Sequence, residues 1–492
     1  MKKLLSSVPL VVVLVLTLAL APGTALAQGP LLYSSAYQIQ NLEATQATVH
    51  IEYFDQDSSA TYAGDVIVPA SGSKTIFPFV TGPFGDNITG PATFNGSAVL
   101  SSDKQIAAIL NTQTGGSTPF YGASTNGFSG GAEELFLPLI ACNNTGFDTW
   151  FNVQNAGSAN ATVTIEYIPG AFGTAASDTG VSIGPSQANT FDQRSDSTTG
   201  TKRCGAGLGT KFVGSAKVTS TNGQPIVAAV MFLGTGGIKT LQGYNGFVAG
   251  STSVNLPLVM SNNSSYYSSI QVQNAGQNST TLTVDFGANT QGSGSPASEV
   301  FTLGAGEAKT LIQIGGVSAY SPSNDWNAIG KYVGGAAITQ TGSEPLVAVV
   351  NQNSTKYTSL GTSYEGFNPD DASGTIKLPL IAANNSGYLT GVQIQAVSGS
   401  PSVTVDYSTN TGSGPLAEPT NDTKTLSAGE TWTLIQAGND PVLSGSNNWG
   451  AAGQYVGSAS VTATGGTVIA IVNFNGPATI GDTFYTYDGF NQ

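Results

Sequence analysis

The sequence predicts an all-β chain of antiparallel β-sandwiches in tandem, and three observations carry that expectation. One pattern of about 115 residues runs through the chain four times. Within each copy apolar and polar residues alternate at period two, the mark of half-buried strands. Beyond the N-terminal region no stretch keeps an apolar 3.6-residue period for three turns, so no helix is expected.

The clearest copy spans residues 132–250. It opens on Leu137-Pro138-Leu139-Ile140, passes an Asn143-Asn144 loop, and reaches Phe151-Asn152-Val153-Gln154-Asn155, a strand that ends on asparagine. Next comes Val163-Thr164-Ile165-Glu166-Tyr167, with Val163, Ile165 and Tyr167 on one face and Thr164 and Glu166 on the other. The strands from Phe212 and Ile226 follow, and Tyr244-Asn245-Gly246-Phe247 closes the copy. Residues 251–371 repeat the succession from Leu256-Pro257-Leu258 to Tyr364-Glu365-Gly366-Phe367, and residues 372–492 from Leu378-Pro379-Leu380 to Tyr487-Asp488-Gly489-Phe490. The most divergent copy is 28–131. It reaches Tyr37-Gln38-Ile39-Gln40-Asn41 without the Asn-Asn loop, so its first strand is expected to be short or displaced.

Gly, Asn, Ser and Pro between the segments predict hairpins. About seven strands per copy at this spacing describe two packed antiparallel sheets, for which immunoglobulin-like is the nearest term. The segments from Ile226, Leu346 and Val468 break the alternation, being apolar on both faces. Either a loop roofs the outer face or a neighbouring unit covers it. Connections between copies, such as Phe128 to Ala132, are short, so a semi-rigid rod on the order of 100 Å is expected.

Lys2 and Lys3, an apolar stretch from Val8 to Ala21 and Ala25-Leu26-Ala27 follow the order of a secretory signal peptide over residues 1–27. That stretch is shorter than the ~20 residues of a membrane span, and no later segment is longer, so no membrane insertion is expected. The exported chain is expected outside the cell or on its surface. Charged residues make up 9% of the sequence and the formal net charge is -14. Such a surface repels phosphate backbones, which excludes nucleic acid as a partner.

Cys142 and Cys204, the two cysteines of the mature chain, both lie in the second copy, and an oxidising compartment predicts a disulfide between them. Ser261 and Ala383 stand at the Cys142 position in later copies, so the bridge is an addition to the fold and not a requirement of it. Catalytic residues are not expected. His50 is the sole histidine, outward on its strand and unmatched elsewhere, which removes histidine-based triads and histidine-rich metal sites. Glu52, Glu166, Asp285 and Asp406 occupy one place in four copies, as solvated strand residues do and a facing glycosidase pair does not. No Gly-rich phosphate loop joins a strand to a helix, so no cofactor is expected. The carboxylates at Asp55, Asp57, Asp370 and Asp371 do not continue into a calcium loop of alternating oxygen ligands.

Trp326 and Trp449 precede Tyr332 and Tyr455 at the same spacing, beside Asn324, Asp325, Asn447 and Asn448. An exposed indole among such groups stacks on the C–H face of a sugar, whereas one packed under its own loop does not. These repeated blocks, with the turns Gly304-Ala305-Gly306 and Ser427-Ala428-Gly429, resemble the tandem immunoglobulin-like β-sandwich repeats of secreted bacterial surface proteins. The resemblance covers nearly the whole mature chain through structural motifs. It implies adhesin, stalk, surface-layer or filament roles. The leading expectation is a non-enzymatic extracellular structural protein, a cell-surface, filament or surface-layer subunit assembling through unit-to-unit contacts with itself or with other surface proteins. The alternative is an adhesive or carbohydrate-binding array that uses Trp326 and Trp449.

Overall fold

The computed structural model describes residues 11–14, 32–115, 121–194, 204, 207–316, 320–408, 419–450, 453–479 and 481–491. Most of the expected signal peptide therefore lies outside the described residues. The chain is all-β, with several antiparallel sheets. Residues up to 126 form β1 (Val11–Leu14), β2 (Leu32–Asn41), β3 (Ala47–Asp55), β4 (Thr61–Val68), β5 (Ser73–Ile76), β6 (Gly96–Ser102), β7 (Ile106–Gly115) and β8 (Gly122–Asn126). The next stretch forms β9 (Glu134–Cys142), β10 (Phe147–Asn155), β11 (Ala161–Phe172), β12 (Ala176–Ile183), β13 (Ala188–Asp192), β14 (Phe212–Ser220), β15 (Ile226–Gly234) and β16 (Leu241–Asn245).

The third stretch carries β17 (Ser253–Ser261), β18 (Tyr266–Asn274), β19 (Thr280–Phe286), β20 (Glu299–Leu303), β21 (Ala308–Ile312), the one-turn helix α1 (Trp326–Ile329), β22 (Tyr332–Gln340), β23 (Leu346–Ser354) and β24 (Gly361–Glu365). The last carries β25 (Thr375–Ala383), β26 (Leu389–Tyr407), β27 (Asp422–Thr425), β28 (Thr431–Ile435), β29 (Tyr455–Asn475), β30 (Phe484–Asp488) and β31 (Phe490–Asn491). The second stretch folds as two four-stranded sheets, β12-β11-β14-β9 and β13-β10-β15-β16, and the first and third stretches repeat the same strand order. These stretches have eight strands each, one more than the spacing suggested.

The recurring residues have identifiable jobs. Asn155 ends β10 because its Nδ2 donates to Ala159 O at 2.7 Å while its Oδ1 accepts the Gly157 N–H at 2.8 Å, a side-chain turn that reverses the strand. Asn41 and Asn274 do the same. Ala396 stands there in the fourth stretch, and Pro225 and Pro345 also lack a counterpart in it. Without these turn residues the strands run on, so β26 extends over 19 residues and β29 over 21, joining both halves into one seven-stranded sheet.

The tyrosine of each Tyr-x-Gly-Phe block crosses the sandwich to its first strand. Tyr244 Oη donates to Leu139 O, Tyr364 Oη to Leu258 O and Tyr487 Oη to Leu380 O, each at 2.6 Å, beside the proline that shifts the strand register. Thr125 replaces the tyrosine in the first stretch, which has no Leu-Pro-Leu strand for it to reach. There the free edge of β6 is taken by β1, with Val11 opposite Ser101 and Leu14 opposite Ala98. The strand at this edge thus comes from residues 11–14, inside the stretch expected to be a signal peptide, and not from the expected copy at 28–131.

The four stretches close into a ring instead of extending as a rod. Strands β8, β16, β24 and β30 stand side by side at the centre, β8 against β16, β16 against β24, β24 against β30, and β30 against β8. The strands that are apolar on both faces explain the closure. Val227 and Ala229 of β15 cluster with Phe128 of the first unit, Val349 of β23 enters the core of the second, Ile469 and Ile471 of β29 enter the core of the third, and Ile109 of β7 enters the core of the fourth. Each burial of this kind contributes roughly 1.5–3 kcal/mol, and repeated around the circle it opposes opening at any one seam. A neighbouring unit, not a roofing loop, covers these faces.

Candidate functional site

Ring closure brings residues that are about 120 positions apart in sequence to one axis. Small residues allow the close approach of the central strands: a Cβ on Gly243 of β16 would lie 2.9 Å from Thr125 Cγ2 of β8. Polar side chains line the middle of the axis. Ser363 Oγ donates to Asn351 Oδ1 at 2.6 Å and to Gln242 Oε1 at 3.2 Å, while Thr486 Oγ1 donates to Asn473 Oδ1 at 2.7 Å. Gln352 and Asn473 exchange two bonds between the third and fourth units, at 2.9 and 3.2 Å. These bonds satisfy buried amides and fix the rotation of one unit against the next.

Toward one end of the axis lies Asp482, wholly buried before β30. Its Oδ2 accepts the Leu241 N–H of β16 at 2.9 Å and its Oδ1 accepts the Gly361 N–H of β24 at 3.1 Å. One side chain of the fourth unit thereby ties the second to the third. Burial pushes its carboxyl well above the usual carboxylate range, against the opposing pull of the backbone N–H groups of Gly361, Leu241 and Phe484.

The other end gathers the x positions of the three Tyr-x-Gly-Phe blocks and of their divergent first copy: Asn126, Asn245, Glu365 and Asp488. Asn126 Nδ2 donates to Asp488 Oδ2 at 3.3 Å, Asn245 Nδ2 donates to Asn126 O at 2.9 Å, and the Asn245 N–H donates to Glu365 Oε1 at 2.6 Å. Glu365 and Asp488 face the same cavity. Burial raises both carboxyls above the ordinary range, and for Asp488 the charges of Glu365 and Asp371 add to it. Asn245, Glu365 and Asp488 line a cavity of about 370 Å³ together with Asp371 and Asn368, and no lysine or arginine is among the lining residues. The sequence signal was present and passed over: x carries an oxygen-bearing side chain in all four copies, but only the Tyr, Gly and Phe around it looked structural.

The residues singled out from sequence fall elsewhere. Cys142 and Cys204 are bridged, with Cα atoms 5.7 Å apart. Trp326 and Trp449 are each 1% exposed. Trp326 packs on Phe286 and Tyr332 at centroid distances of 5.3 and 6.0 Å, and Trp449 on Tyr407 and Tyr455 at 5.2 and 5.6 Å. Neither indole has a face left for a sugar, because both fill the space beneath their own loops. Asn262 and Asn384 hold those loops down by donating to Trp326 O and Trp449 O at 2.9 and 2.6 Å. His50 is exposed and paired with Asp65 at 2.6 Å. Glu166, Asp285 and Asp406 are exposed and Glu52 is half-buried. Asp55 spends its Oδ1 on the N–H groups of Asp57 and Ser58 in its own turn.

Buried tyrosine–carboxylate pairs recur inside the units. Tyr53 Oη donates to Asp86 at 2.7 Å, Tyr167 Oη to Asp178 at 3.1 Å and Tyr407 Oη to Asp422 at 2.9 Å. Burial drives the Tyr53 and Tyr407 phenols far above their ordinary range, so they serve as fixed hydrogen-bond donors in the cores. Among the described residues no group of three or more His, Cys, Asp or Glu is arranged to hold a metal ion, and no helix is long and apolar enough to cross a membrane.

No family model matches this chain, and no curated protein matches it. Among solved structures, the Thermotoga maritima 1070 protein is similar at 15% identity and a TM-score of 0.19, over 25% of this chain and 96% of that one. The tetra-tandem repeat in the extending region of a large adhesion protein is similar at 12% identity and a TM-score of 0.10, over 99% of this chain and 100% of that one. Likenesses of this size carry no argument about fold or activity.

Proposed function

We propose that the chain is a non-enzymatic extracellular structural protein: four immunoglobulin-like sandwich repeats, over 28–131, 132–250, 251–371 and 372–492, exported by a signal peptide over 1–27. Its working chemistry is contact between units. The single observation that carries this reading is the cyclic burial of one strand from each unit against its neighbour, from Val227 and Ala229 round to Ile109. That arrangement turns a flexible string into a block suited to a cell-surface, filament or surface-layer subunit, and the disulfide suits an oxidising compartment. The carbohydrate-binding alternative loses its two named tryptophans to burial.

Negative-stain microscopy and light scattering of the secreted chain, with antibody labelling of intact cells, test the proposal. Compact four-lobed particles and labelling at the cell surface or in the medium are expected. Extended rods in solution, or a label found only after cells are opened, would sink it.

A further inference from the structure

The acidic end of the axis has the makings of a cation site. Glu365 and Asp488 line one cavity with no basic residue in its lining, so two carboxylates there favour either protonation or a positive charge beside them. A second observation points the same way. Asn245 is 8% exposed, lines the same cavity, and its Oδ1 is out of contact with solvent and without a hydrogen-bond partner, while its Nδ2 and backbone N–H are both engaged. Asp488 Oδ1 is likewise sealed from solvent. A buried carbonyl oxygen left unpaired costs about 1–3 kcal/mol unless something accepts its lone pairs. All the candidate donors are oxygens, which excludes the nitrogen and sulfur chemistry of zinc or copper. They come from separate strands of three units, a set that the adaptable shell of Ca²⁺ accepts more readily than the rigid one of Mg²⁺.

We propose that this end of the axis is a calcium site in which the Glu365 and Asp488 carboxylates and Asn245 Oδ1 face one Ca²⁺, with water completing the shell. It joins the second, third and fourth units at the point where their central strands end, so the ion acts as a clasp on the ring. Two carboxylates and one amide place the affinity with the weak extracellular sites, at ~10⁻⁴–10⁻³ M.

The test is calorimetric titration of the full mature chain, stripped with chelator, with calcium chloride near neutral pH. One site per chain is expected, with a rise in melting temperature of a few degrees at saturation. The double variant Glu365→Gln/Asp488→Asn should weaken binding at least ~10-fold, while Asp57→Asn, in the surface turn, should leave it unchanged. Asn245→Asp supplies a third carboxylate and should tighten binding ~10-fold, a gain that a misfolded variant cannot mimic. No saturable binding up to ~10 mM, unchanged affinity in the double variant, or no gain from Asn245→Asp overturns the assignment. Such a failure leaves the ring reading standing, because particle shape is measured without calcium.

Discussion

Asp482→Ala should weaken the closed ring by about 3–5 kcal/mol, since it strands two buried backbone donors at once and each costs about 1–3 kcal/mol when unpaired. Those donors are the N–H groups of Leu241 and Gly361, at the starts of β16 and β24, so the damage falls on contacts between units. Asp482→Asn keeps one acceptor oxygen and should lose roughly half as much. Denaturant unfolding gives the magnitude, and amide exchange at Leu241 and Gly361 gives the place. The cost should also depend on pH. Burial raises the folded carboxyl above its unfolded value, so its contribution is full below the ordinary carboxylate range and declines as pH rises through the raised value. The gap between wild type and Asp482→Ala should therefore narrow from acid toward alkaline pH. A loss under ~1 kcal/mol with both amides still protected would mean that the apolar faces close the ring alone.

The strand content was legible because period-two alternation survives translation into burial. Val163, Ile165 and Tyr167 are buried, and Glu166 is exposed, as the pattern required. The turns were legible too, since Asn155 and Asn274 carry their own hydrogen-bond logic in the residue type. Ring closure was not. Its signal lay in the segments from Ile226, Leu346 and Val468, whose second apolar face says that something covers it without saying what. Short connections were read as stiffness, yet they equally allow each unit to turn by a fixed angle and meet its neighbour.

The tryptophans illustrate a related limit. Indole beside Asn and Asp describes both an exposed platform and a plug under a loop, and only the partners decide between them. Here Asn384 reaches back to Trp449 O at 2.6 Å, so the asparagines of the loop hold its backbone. The axial residues Asn126, Asn245, Glu365 and Asp488 were invisible for a different reason. Each looks like one more polar residue in a turn until four copies are placed around one axis.

Loss of the Cys142–Cys204 bridge should cost about 4 kcal/mol, the loop-closure value for its sequence separation of 62. The effect should be local at first. Cys142 ends β9 opposite Phe212 of β14, and the bridge fastens Cys204, which lies between β13 and β14, to the end of β9. In the double variant Cys142→Ser/Cys204→Ser, amide exchange should rise along β9 and β14 before it rises in other units. Ser261 occupies the Cys142 position in the third unit, so serine itself is tolerated there and the measured loss reports the missing bond. The defect should then spread in one direction. Val349 of β23 is part of the second unit's core, so the third unit is the neighbour that loses support when that core loosens. Exchange measured by mass spectrometry at rising denaturant separates the steps. A loss under ~1 kcal/mol would mean that Leu208 and Phe212, both fully buried, hold the chain at the start of β14 by packing and that the bridge adds little.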